Sequence, residues 1–187
     1  FATPTTLSEW AKNLADVHLG TTLVYGRLIL ISPITRTMLE VVGAPWSDIR
    51  NKWEIGRPTL PPHGSVFHRR TLFTSAQPFD LRFPIASDSH FLLRTIQLCD
   101  PVFFPTDVIR APRGGISLRL DTAWQMSREI AAVNRDIGLT PSWGVRFHEA
   151  LRLAAISLLN LFPQKIAHLL ADVIRRLSGK PTLWSVR

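Results

Sequence analysis

Residues 62–73 read PHGSVFHRRTLF, residues 77–94 read QPFDLRFPIASDSHFLLR, and residues 114–117 read GGIS. In the first stretch Ser65 to Arg69 alternates like a strand, and Arg70 to Ala76 has the spacing of a short helix. In the second, Phe91, Leu92, Thr95, Ile96 and Leu98 fall at helical intervals, which predicts a helix over 88–98 with Asp88 at its cap or first turn. Val102 to Phe104 reads as a short strand, followed by another near Val108 to Ala111. Gly114-Gly115 then supplies a turn whose amides can approach an anion, or a plain turn with no such role.

Upstream of this stretch, Thr3 to Leu14 reads as a capped amphipathic helix with Leu7, Trp10, Ala11 and Leu14 on one side. Leu23 to Ile31, rich in branched residues, is a strand ending at Ser32-Pro33, and a weaker strand runs from Thr37 to Val42. Pro45 to Trp53 opens a short helix or turn. Downstream, Leu120–Ile137, Trp143–Leu161 and Gln164–Leu177 read as three helices punctuated by Gly138, Pro141 and Pro163. The order is α/β first and all-helical afterwards.

The 187 residues suffice for a domain with a core; 45% are hydrophobic and 19% charged, which fits a globular chain. A single cysteine, Cys99, excludes an internal disulfide and a cysteine-only zinc site and fits a reducing compartment. Net charge is +8, and residues 101–187 hold twelve Lys/Arg against six Asp/Glu. Such a half attracts phosphate-bearing partners or is a solvated basic surface. No basic run, zinc-finger spacing or aromatic RNA-binding motif points to nucleic acid. The chain opens on Phe1 without a signal peptide, so an upstream portion is expected. No window supplies the roughly 20 uninterrupted apolar residues of a spanning helix.

The ordered series His63, Arg69-Arg70, Phe79-Asp80, Ala86-Ser87-Asp88, Leu92-Leu93-Arg94 and Gly114-Gly115-Ile116-Ser117 resembles the second half of a family 2 glycosyltransferase domain. Val24-Tyr25-Gly26 resembles that family's Val-Tyr-Gly-Asp strand, and Phe1-Ala2-x-Pro4-x-x-Leu7 the helix after its metal-binding aspartates. The resemblance implies a partial GT-A-like mixed sheet over 1–118, followed by a helical extension over 119–187. It implies an inverting transfer of sugar from a nucleotide diphosphate-sugar to a hydroxyl of a glycan or lipid-linked acceptor, in cell-surface polysaccharide or glycolipid synthesis. It also implies a divalent metal (Mg or Mn) held by aspartates upstream of Phe1, and a cytoplasmic site of action at the inner face of the plasma membrane. Arg27 departs from the pattern, where an Asp is usual, and Gln77-Pro78 replaces the usual Gly. These departures, with the missing aspartates, suit the alternative of a non-catalytic glycan- or protein-binding relative. This fragment alone is expected to be inactive.

On chemical grounds a carboxylate at a helix start facing a cleft can take a proton from a sugar hydroxyl; equally, it can serve only as a cap. Asp88 is the candidate base. His63 stands either at a cleft edge or in a structural role. Arg113, Gly114, Gly115 and Ser117 are the candidate substrate contacts, with Arg110 adding charge. Asp80 reads as a turn or cap residue, and His68 and His90 as structural. With half a sheet missing, Leu23, Val24, Leu28 and Leu30 are expected to lie exposed, leaving the chain marginally stable or prone to associate. The tail, with Leu151, Leu158, Leu169 and Val173 on its apolar stripe and basic residues alongside, is a packed helical hairpin or a membrane-surface element.

Overall fold

A computed structural model describes residues 1–15, 17–74, 78–177, 179 and 182. The chain is α/β, with a mixed four-stranded sheet covered by helices. Its centre is β1 (Leu23–Ile31). One edge of β1 is shared by two antiparallel partners, β2 (Met38–Val42) along 28–31 and the later β5 (Val66–His68) along 23–25. The other edge carries β6 (Val102–Pro112), which runs parallel to β1. The two short strands expected at 102–104 and 108–111 are thus one strand. Between β2 and β5 lie the short helix α2 (Trp46–Ile49) and a small hairpin of β3 (Trp53–Glu54) and β4 (Arg57–Pro58), turned by Ile55 and Gly56 at positive φ.

The strand β1 is covered on both faces, which is why its apolar run is continuous. Leu23 and Tyr25 face the main core, and Val24 faces the opposite side. There Trp10 of α1 (Thr6–Ala15) packs on Phe67 and Phe104 at 4.7 and 5.4 Å between ring centroids. Pro105 lies where β6 bulges away from β1: the register jumps from Tyr25↔Phe103 to Arg27↔Asp107. The bulge drops the Thr106 carbonyl onto Gly26, where a Cβ would stand 2.5 Å from that oxygen and 2.6 Å from Trp10. Only glycine fits this close approach.

The main core joins Leu23 and Tyr25 to Leu92 and Leu93 of α3 (Ser87–Ile96) and to Met126, Ile130 and Val133 of α4 (Ala123–Asp136). A second cluster joins Leu120 and Ala123 to Leu153 and Ile156 of α5 (Trp143–Leu159) and to Ala167 and Ala171 of α6 (Gln164–Leu177). Beyond the expected division at 118/119, α4 supplies a wall of the main core. The expected exposure of β1 is corrected. Leu23 and Val24 are buried and Leu28 and Leu30 half-buried, whereas on the neighbouring β2 Met38, Leu39 and Val41 are exposed. Helix 70–76 is a 3-10 turn over 70–73, and positions 75–77 and Lys180 lie outside the described residues. No helix among the described residues is long and apolar enough to cross a membrane.

Candidate functional site

Asp88 occupies the second position of α3, in its first turn and half-buried, with its Oδ1 accepting from the Ser89 amide at 2.6 Å. The helix start is clamped from α4. Glu129, itself buried, accepts through Oε2 from the amides of Ile85 at 2.8 Å and Ala86 at 2.9 Å, and through Oε1 from Gln125 at 2.8 Å. No side chain caps α3 from its own N-cap, Ala86, so this borrowed carboxylate meets part of the amide demand at a helix start. The charge of Asp88 also reaches Arg57 on β4. Burial lowers the Arg57 pKa, the larger effect, while Glu54 (Nη1–Oε1 3.3 Å) and Asp88 oppose it.

His63 is exposed at the head of a 3-10 turn over 63–65 that Ser65 pins down, its hydroxyl bonding the Gly26 carbonyl at 2.8 Å. Its ring lies 6.0 Å from His68 and 6.5 Å from Phe79, and Phe79 packs on Phe91 at 5.0 Å, one turn beyond Asp88. An aromatic cluster thereby carries His63 to the N-terminal half of α3. Within it, burial lowers the His68 pKa to about 4, helped by the neighbouring His63. A hollow lined by Leu72, Pro78, Phe91, Arg94, Thr95 and Leu98 flanks the same helix, and a second lies at Phe1–Leu7; Asp88 lines neither.

The loop after β6 divides its expected residues. Gly114 and Gly115 lie at positive φ (152° and 122°) and are exposed, and a Cβ at Gly115 would meet open space. Ser117 is exposed in the following 3-10 turn. Arg113 is not available to a substrate. Its guanidinium is buried against Glu40 of β2, its amide donates to the Ile31 carbonyl, and burial lowers its pKa. It latches β6 and β2 beside the end of β1, whereas Arg110 on β6 is exposed. Arg27, the departure on β1, pairs through Nε with Asp107 at 2.7 Å.

Asp80, His90 and Asp136 place ligand atoms within 4.8 Å of one another. A guanidinium already fills that space: Arg82 grips Asp80 at 2.6 Å and reaches Asp136 at 3.3 Å, while His90 Nε2 bonds Asp136 at 2.8 Å. Hydrogen bonds from Arg82 bring the Asp80 carboxyl down to about 2, and those from His90 and then Arg82 lower Asp136. The cluster already carries its cation and does not fit a divalent metal. Asp80 also accepts from the Arg82 amide at 2.9 Å, the turn role expected of it. Glu129 and Arg57 are the residues that the sequence reading missed. The signal for Glu129 was an acid at the helical spacing of Met126, Ile130 and Val133, on the apolar side of its helix.

Comparison with protein-family models, with curated proteins and with solved structures returns no match to this chain.

Proposed function

We propose that this chain is the acceptor-side half of an inverting, GT-A-type glycosyltransferase. The observation that carries this reading is the placement of Asp88: half-exposed in the first turn of α3, with the two amides before that helix clamped by Glu129. It is supported by the ordered motif series and is compatible with a mixed sheet in which β5, α3 and β6 follow one another. In the transfer, Asp88 takes the proton of an acceptor hydroxyl while that oxygen bonds the anomeric carbon. The bond from that carbon to the nucleoside diphosphate breaks on the opposite face, which inverts the configuration. His63 and the loop Gly114, Gly115 and Ser117 shape the acceptor side, and Arg110 takes over the charge first assigned to Arg113. A divalent ion, Mg or Mn, would neutralise the leaving diphosphate in the intact enzyme. In this reading its ligands are the aspartates that the family resemblance implies, not residues of the Asp80, His90 and Asp136 cluster. Acceptors would be glycans or lipid-linked sugars met on the cytoplasmic side of a membrane.

That Asp88 lines neither hollow favours a second reading, a glycan- or protein-binding relative without catalysis. The chain joined to its natural upstream sequence separates the two. Release of nucleoside diphosphate from a panel of nucleotide-sugars, reduced about 10²- to 10⁴-fold by Asp88→Asn, supports the enzyme. Glycan binding without such release, or turnover indifferent to Asp88→Asn, removes it.

A further inference from the structure

The tail hairpin is packed inside out for a helix pair bathed only in water. On α6 the side chains turned into the fold are small, Ala167, Ala171 and Asp172, while Ile166, Leu169, Leu170, Val173 and Leu177 face outward. On α5 the inward residues are Leu153 and Ile156, and the outward stripe runs through Trp143, Phe147, Leu151 and Leu158. At 100° per residue each outward stripe points directly away from the packed side of its own helix. Both helices turn their inner sides to the same apolar cluster, so each stripe lies on the outer side of its own helix. Trp143 is 78% exposed and stacks on Phe147 at 5.2 Å, an aromatic pair lying on the surface.

Charge decides what covers this face. Lys165 and Arg176 are exposed and flank the α6 stripe at its side, and Arg146 stands in the same relation to the α5 stripe. The acids of the two helices are withdrawn: Glu149 is bound to Arg152 at 2.7 Å and Asp172 is buried. An apolar face, a basic flank and a surface tryptophan are the features of a helix lying in a bilayer interface.

We propose that the outward face of the α5–α6 hairpin docks on an anionic lipid bilayer, with the stripes in the acyl boundary and Lys165, Arg176 and Arg146 on lipid phosphates. This goes beyond the transfer reading and does not depend on it, since vesicle binding needs neither donor sugar nor Asp88.

The test is sedimentation of the 187-residue chain with vesicles of phosphatidylcholine alone or mixed with phosphatidylglycerol. Wild type is expected to pellet with the anionic vesicles and to be released as salt rises from about 50 to about 500 mM. Lys165→Gln with Arg176→Gln should weaken the apparent affinity about 30-fold. Leu169→Glu with Val173→Glu should abolish pelleting, and the single change Leu158→Gln, at a 63% exposed position, gives a milder test if the double variant does not fold. Brominated lipids should quench wild type more than Trp143→Phe. Wild type remaining in the supernatant at low salt overturns the proposal, as does pelleting that folded apolar variants leave unchanged. A dimer that Leu169→Glu with Val173→Glu disperses, with no vesicle binding, overturns it in favour of a second copy on this face.

Discussion

Replacing Glu129 tests whether α4 holds the start of α3. One oxygen, Oε2, accepts both the Ile85 and Ala86 amides, and the residue is buried. Glu129→Ala removes two charge-assisted hydrogen bonds, each worth about 1.5–3 kcal/mol. Water entering from the exposed Gln125 side restores part of this, so the expected net loss is about 3 kcal/mol. Glu129→Gln keeps an oxygen in the same place, and Gln125 can turn its own carbonyl toward the new amide, so the loss should be about 1 kcal/mol. For a chain of this length those values correspond to drops in Tm of about 6–12 °C and about 2–4 °C. Urea denaturation followed by far-ultraviolet circular dichroism measures both, the midpoint shifting at constant slope. Glu129→Ala within about 0.5 kcal/mol of wild type would refute the clamp. Equal losses in both variants would refute its assignment to the two hydrogen bonds rather than to charge.

Gly26→Ala should cost about 1–3 kcal/mol, because its Cβ would stand 2.5 Å from the Thr106 carbonyl, whereas Gly144→Ala on α5, with 3.9 Å of clearance, should be neutral or stabilising; urea midpoints compare them. His68 titrates near 6.5 when unfolded and at about 4 when folded, so between those values the unfolded chain binds more protons. Stability should therefore fall as pH is lowered through that window, and the difference between wild type and His68→Phe should show the same slope. For Asp80 the carboxyl lies at about 2 against an ordinary 3.8, so its contribution is present above 3.8 and lost as pH falls toward 2. Arg82→Ala should return the Asp80 carboxyl toward its ordinary range in a carbon-detected NMR titration.

The secondary structure was legible where periodicity is strong. The strand 23–31 and the helix 164–177 stand where apolar spacing put them, since an apolar pattern runs unbroken through each. What the sequence hid was tertiary. The β6 strand read as two pieces because Pro105 breaks the pattern, yet the chain continues through a bulge on Gly26. The β3–β4 hairpin is too short to show a period, and its register comes from contacts such as Asn134 Nδ2 donating to the Gly56 carbonyl at 2.8 Å. In the candidate site, Asp88 was legible because a helix start is a local property. Arg113 was misjudged because its partner Glu40 lies 73 residues away, and only the pairing of β1 with both β2 and β6 brings the two together.

The contacts of α4 tie the two halves of the proposed site to one another. Glu129 clamps the residues before Asp88, and about two helical turns further on the same α4 ends at Asp136, bonded to His90 one residue beyond Ser89 and to Arg82 in the preceding turn. The start of α3 is therefore fixed from two points on one rigid helix. That helix follows the Gly114–Ser117 turn by only a few residues, and Thr122, just before it, hydrogen-bonds the Ile116 carbonyl. Displacing the glycine turn must then either break this local bond or move α4, and moving α4 moves Asp88. The loop that would meet the acceptor and the carboxylate that would deprotonate it share a mechanical frame, although 26 positions separate Asp88 from Gly114 in sequence.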